Sequence, residues 1–95
     1  MRLLEYKLLI HAFIERQISV EEFERQFLNA FKSESEGMDM QLFCILDALF
    51  GAVDSYWHEC LPGQETAFMI SEEQLRREAA KALLLINELE GATNV

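Results

Sequence analysis

Asp54, His58 and Cys60 form the densest run of chemically able side chains in the sequence, and Cys44 and Asp47 lie just ahead of them. Read as a metal site, Asp-x3-His-x-Cys matches no usual zinc spacing and lacks a fourth ligand. A surface histidine at a helix end is the plainer reading, and no metal or other cofactor is expected. Read as a nucleophile, Cys60 stands two residues from His58, but thiol activation needs an electropositive setting and the neighbours are carboxylates. Cys44, inside an apolar stretch, reads as a small packing residue. Asp47 and Asp54 could share acid–base work in principle, yet both would project from a convex helix face with no pocket-forming segment beside them. The glycines Gly37, Gly51, Gly63 and Gly91 are isolated, so no phosphate-cradling loop is legible. Recognition is therefore expected in place of catalysis, with Asp47, Gly51, Asp54 and His58 at i, i+4, i+7 and i+11 on one side of a helix.

The charge distribution says what would be recognised. The net charge is −9, which disfavours nucleic acid as a direct ligand, because phosphate binding needs clustered Lys and Arg. The same charge disfavours anionic membranes and favours basic proteins. Total acidity alone fits mere solubility equally well; its placement adds information. Between Lys32 and Arg76 there is no Lys or Arg, while Glu34, Glu36, Asp39, Asp47, Asp54, Glu59, Glu65, Glu72 and Glu73 fall in that interval. Residues 1–16 carry Arg2, Lys7 and Arg16 against Glu5 and Glu15. An acidic surface without its own counter-ions fits a partner that brings them. Tyr56, Trp57 and Phe68 stand beside these carboxylates, where an aromatic group can carry binding energy, although Tyr56 and Trp57 would equally fill a core.

Helices must position these groups. Leu3, Tyr6, Leu9, Ile10, Phe13 and Ile14 recur at three- and four-residue spacings, predicting a first helix over about Arg2–Arg16. Ser19 and Glu22 read as a capping box for a second helix carrying Val20, Phe23, Phe27 and Phe31, with Ile18 as a staple onto Phe23. Turn chemistry at Ser33–Gly37 should end it. Asp39 is expected to cap a third helix whose apolar side runs from Leu42 through Leu46, Leu49, Phe50 and Val53 to Tyr56 and Trp57, broken only at Leu61-Pro62-Gly63-Gln64. Ser71 and Gln74 form a second expected capping box, for a helix with Leu75, Ala79, Ala82, Leu83, Ile86 and Leu89 inward, stopped at Gly91 and followed by a frayed tail, Ala92–Val95. The expectation is an all-α fold, an antiparallel four-helix bundle in one domain spanning residues 1–95. Cys44 and Cys60, held apart along a helix at about 1.5 Å per residue, are expected as free thiols, since a disulfide needs Cα atoms within about 7 Å. Neither a signal peptide in Met1–Lys7 nor a membrane-length apolar run is legible, so a cytoplasmic location is expected.

Two ordered runs resemble a known family. Phe13-Ile14, Ile18-Ser19-Val20-Glu21-Glu22-Phe23, Phe27-Leu28 and Phe31 look like the opening pattern of colicin D-type immunity proteins. Leu42-Phe43, Ile45-Leu46-Asp47, Leu49-Phe50, Val53-Asp54 and Tyr56, then Ile70-Ser71-Glu72-Glu73-Gln74-Leu75-Arg76, are similar to its second half. The resemblance covers about residues 8–90; the loop from His58 to Phe68 departs from it. It implies a four-helix protein that protects a bacterium from a colicin-like or contact-dependent growth-inhibition toxin by covering the active site of a nuclease, the best-known of which cleaves transfer RNA. Asp47, Asp54 and Tyr56 occupy matching positions. The expected toxin-binding set is Glu34, Glu36, Asp39, Asp47, Asp54, Tyr56, His58, Glu59 and Glu65, with one basic toxin domain bound per monomer. The alternative is a helical adaptor or regulatory subunit that takes a basic or amphipathic segment of another protein.

Overall fold

The computed structural model describes residues 2–93 and is a four-helix bundle. Helix α1 spans Leu3–Ile14, α2 Val20–Glu34, α3 Met40–Ser55 and α4 Glu72–Thr93, with a 3-10 turn at Ser35–Gly37 between α2 and α3. Successive helices run in opposite directions. Lys7 near the start of α1 pairs with Glu90 near the end of α4 at 2.5 Å, and Tyr6 donates a hydrogen bond to Glu34 at the end of α2. The longest helix, α4, packs against both α3 and α1, whereas α2 and α3 touch less.

The core is organised by α2. Val20, Phe23, Phe27 and Phe31 recur at three- and four-residue steps, so all four fall on one stripe, and all are buried. Their rings form a column. Phe13 of α1 stacks on Phe23 with centroids 4.3 Å apart, Phe23 on Phe27 at 5.6 Å, Phe27 on Phe31 at 5.8 Å, and Phe31 on Phe43 of α3 at 5.6 Å. Tyr6 meets Phe27 edge-on. Leu46, Leu49 and Val53 of α3 and Leu75, Ala79, Ala82 and Ile86 of α4 close around this column. Phe50 is only partly buried at its margin.

The starts of α2, α3 and α4 are each fixed by a side-chain oxygen. Ser19 Oγ accepts from the Glu22 backbone N–H at 3.1 Å, and Asp39 accepts from Gln41 and Leu42 at 3.1 and 3.3 Å. Ser71 Oγ accepts from the Gln74 N–H at 3.1 Å. The two expected capping boxes form only their forward halves. The Glu22 carboxylate turns to Arg25 and Gln26, and the Gln74 amide turns to Glu78; both choose a neighbour along the helix face over the cap. After α1 the chain reverses through Arg16, whose φ of 62° lies in the left-handed region. Arg16 N–H reaches Phe13 C=O and Gln17 N–H reaches Ala12 C=O, a Schellman ending built without glycine.

Three expectations are corrected. The third helix ends at Ser55, before Tyr56, Trp57 and His58, because Tyr56 pairs with Ile70 as an isolated bridge that pulls the chain out of helical register. Gly91 lies within α4, which continues to Thr93 without a left-handed glycine, so Ala92 and Thr93 are helical; Asn94 and Val95 of the expected tail lie outside the described residues. Cys44 is exposed, whereas Cys60 is buried; both are free. Position 44 shares the outer face of α3 with Met40, Asp47, Ala48, Gly51 and Asp54, all exposed, opposite the buried stripe of Leu46, Leu49 and Val53.

Phe27, fully buried and in ring contact with three other aromatic side chains, is the most sensitive core position. Phe27→Ala should destabilise the fold by about 3–5 kcal/mol and Ser19→Ala by about 1 kcal/mol, as read from urea unfolding midpoints.

Candidate functional site

The nine expected recognition residues do not share one spot. Glu34, Glu36 and Asp39 lie where α2 ends and α3 begins, while Tyr56, His58, Glu59 and Glu65 lie beyond the opposite end of α3. Sixteen residues of α3 separate these poles by about 24 Å at 1.5 Å per residue. Asp47 and Asp54, seven residues apart on the exposed face, bridge the distance. That face is smooth. Besides the two aspartates it presents Met40, Cys44, Ala48 and Gly51, and nothing lies within 4 Å of where a Cβ at Gly51 would stand. Internal packing therefore does not require the glycine, although a mid-helix glycine costs about 0.5–1 kcal/mol against alanine.

The carboxylates divide by what they touch. Glu34 accepts the phenol of Tyr6 at 2.8 Å, and burial pushes that phenol's pKa up. Asp39 is the cap of α3. Glu65 accepts from Ser71 Oγ at 2.5 Å and from Gly63 N–H at 2.8 Å. Glu72 is bound to Arg76 at 2.9 Å and lies 3.7 Å from Arg16, and Glu73 is 3.8 Å from Arg77. The expectation that this stretch lacks internal counter-ions is thus corrected for Glu72 and Glu73, whose cations come from the next turn of α4 and from the end of α1. Among the described residues, Glu36, Asp47 and Asp54 make no hydrogen bond or ion pair.

Arg76 is the hinge between core and site. Its guanidinium lies over the Phe13 ring, 4.4 Å from the centroid, donates to the Phe13 carbonyl and holds Glu72. One side chain therefore closes the aromatic column, satisfies an end carbonyl of α1 and neutralises the start of α4.

The segment from Tyr56 to Ser71 has no helix, yet it is closely tied. Ile70 N–H donates to Ser55 C=O and Trp57 N–H to Ile70 C=O, closing the loop at its base. Leu61-Pro62-Gly63-Gln64 makes a turn closed by Gln64 N–H to Leu61 C=O at 3.0 Å; Gly63 has φ 90° there, which suits the Pro-Gly pair. Cys60 is buried, with its thiol toward the carbonyls of Leu61 and Met69. His58 is exposed, 3.7 Å from Glu59 and against the Trp57 ring at 4.6 Å. Among the described residues no group of three His, Cys, Asp or Glu side chains is placed to hold a metal ion.

Two acidic residues join this pole without having been singled out in the sequence. Glu21 and Glu24 of α2 line a groove with Tyr56, Trp57 and His58. Burial raises the Tyr56 phenol pKa, and Glu72, Glu21 and Glu24 raise it further against Arg76. Glu24 is itself pushed up by burial and by Glu21. Both glutamates precede Lys32, outside the Lys- and Arg-free interval; their three-residue spacing at the start of α2 was the available signal. Carboxylates beside aromatic faces suit guanidinium and ammonium groups.

The Ser71 hydroxyl, followed by backbone N–H groups, holds the Glu65 carboxyl below the usual carboxylate range. A depressed pKa means that Glu65 contributes to loop order at neutral pH and loses that contribution as pH falls through its folded value. NMR titration should show Glu65 titrating below an ordinary glutamate, and Ser71→Ala should move it back up.

No helix among the described residues is long and apolar enough to cross a membrane. Neither a curated protein nor a solved structure matches the chain. The family model for bacterial self-protective colicin-like immunity matches residues 1–86. Nearly the whole bundle, including α3 and the loop after it, falls inside that match, and the chain belongs to the colicin-like immunity family.

Proposed function

We propose that this chain is a cytoplasmic immunity protein that binds one nuclease toxin domain, one that cleaves transfer RNA, and neutralises it by covering its basic active site with acidic surface. Family membership supports toxin binding and self-protection. The observation that carries the electrostatic part is Asp47 and Asp54, exposed on a smooth helix face without partners among the described residues. Two carboxylates seven residues apart repel by roughly 0.4 kcal/mol in water and contribute nothing to packing, whereas opposite a Lys- or Arg-lined groove both become favourable. The acidic face would take the place of the nucleic-acid phosphates that such a groove binds.

The proposed contact set remains Glu34, Glu36, Asp39, Asp47, Asp54, Tyr56, His58, Glu59 and Glu65, to which Glu21 and Glu24 are added. Its span is compatible with a single footprint. A standard interface buries about 800 Å² on each partner, a patch roughly 30 Å across, which accommodates the length of α3. Within this set, Glu34, Asp39 and Glu65 also hold the fold, so Asp47 and Asp54 are the positions where binding separates from folding. The whole helical unit acts by occupying the toxin, with no reaction of its own.

The test uses the toxin domain encoded by the neighbouring gene. Asp47→Lys with Asp54→Lys should weaken binding by several kcal/mol, because like charges then meet, and should abolish protection while circular dichroism stays helical. The wild-type association rate should fall steeply with added salt. Gly51 offers a second separation: Gly51→Gln should raise the unfolding free energy by about 0.5–1 kcal/mol yet weaken the complex by placing bulk on the docking face. Full protection by the folded double variant would exclude the α3 face as the site.

A further inference from the structure

Phe68 is 90% exposed, although the backbone that carries it is fixed. Its N–H donates to Thr66 Oγ1 at 3.2 Å, and Thr66 N–H donates to Met69 C=O at 2.8 Å, so the turn on which the ring stands is bonded across itself. Two residues later Ile70 pairs with Tyr56 and exchanges hydrogen bonds with Ser55 and Trp57. Further back, Glu65 bonds the buried Ser71 and the Pro-Gly turn. The same loop exposes Trp57 at 47% and Leu61 at 60%. Scattered exposed apolar residues are ordinary on protein surfaces. Three large ones on one tied, non-helical loop are a different case: the ordering entropy has been spent on a surface that the bundle itself does not bury.

We infer that this loop is an apolar anchor, with Phe68 as its leading side chain, that seats in a hydrophobic pocket beside the basic groove of the toxin domain. The inference rests on the reading given under Proposed function and adds a contact of a different kind. The occupant follows from charge. The loop itself carries Glu59 and Glu65 and no Lys or Arg, Glu21 and Glu24 stand beside it, and the neighbouring Arg16 and Arg77 lie within 4 Å of Glu72 and Glu73. A second copy of this chain would bring the same acidic rim, on a molecule of net charge −9, against itself. A basic partner meets the rim with opposite charge while the rings enter its pocket, which is the arrangement of a binding hot spot inside a polar rim. Carboxylates attract any basic surface; a projecting ring on a fixed turn reads shape. The loop therefore supplies discrimination between toxins, and the acidic face supplies capture.

The experiment measures binding kinetics of the full chain with the purified toxin domain of the neighbouring gene. Phe68→Ser should leave the thermal midpoint unchanged, since the ring contacts little of the fold. It should raise Kd by about 30-fold or more, through faster dissociation at an unchanged association rate. Phe68→Trp should retain tight binding, and Leu84→Ser, at an exposed leucine on α4, should change nothing. Wild-type affinity in Phe68→Ser, alongside weakened binding in the Asp47→Lys/Asp54→Lys variant, overturns the anchor and leaves the immunity reading standing. No binding by the wild-type chain overturns both. Light scattering that shows a wild-type dimer dispersed by Phe68→Ser would assign the loop to a second copy and overturn the toxin-pocket assignment.

Discussion

The stacked phenylalanine column is the interaction on which the rest of the structure depends. It runs from Phe13 through Phe23, Phe27 and Phe31 to Phe43, so a single stripe of α2 sets the positions of α1 and α3. The remaining core of α3 and α4 closes around it with aliphatic side chains. Because α3 meets the column through its Leu46–Leu49–Val53 side, its other side is left outside, bearing Asp47 and Asp54. The exposed acidic face is thus a consequence of how the core is filled. Arg76 ends the column over Phe13 and binds Glu72 in the same stroke, which ties packing at one end of the bundle to the charge pattern there.

That coupling sorts the acidic residues. Glu34, Asp39, Glu65, Glu72 and Glu73 each answer a need of the fold: a buried phenol, a helix start, a loop closure, two ion pairs. Among the described residues, Glu36, Asp47 and Asp54 answer none. A net charge of −9 therefore overstates the carboxylates free for a partner, and the free ones concentrate where α3 is smoothest. Recognition by such a surface has two separable parts. Long-range attraction by carboxylates governs encounter, and close fit of exposed rings governs residence.

The helices were legible in the sequence because their information is local. Apolar spacing, Ser19, Asp39 and Ser71 located every start, and the phenylalanine stripe of α2 was visible as a three-four-four pattern. What escaped was non-local. The end of α3 is set by Ile70 pairing back to Tyr56, a contact that no window around position 56 contains, so His58 was expected on a helix it does not occupy. Cys44 sits in an apolar run, where a small residue does not reveal which face it takes, and Gly91 permits a helix stop without imposing one, so α4 continues to Thr93. Glu21 and Glu24 lie outside the acidic stretch as it runs along the chain, and only the bundle, which folds the start of α2 against the end of α3, brings them to it. The Glu72–Arg16 pair crosses from α4 to α1 in the same way.

The central claim is neutralisation of a nuclease by occupation of its active site. It is tested most directly by titrating the purified chain into a transfer-RNA cleavage assay run with the toxin domain of the neighbouring gene. Cleavage should fall in proportion to added protein and vanish at one equivalent, with protection eroding as salt rises. Undiminished cleavage in the presence of excess folded protein would contradict the account.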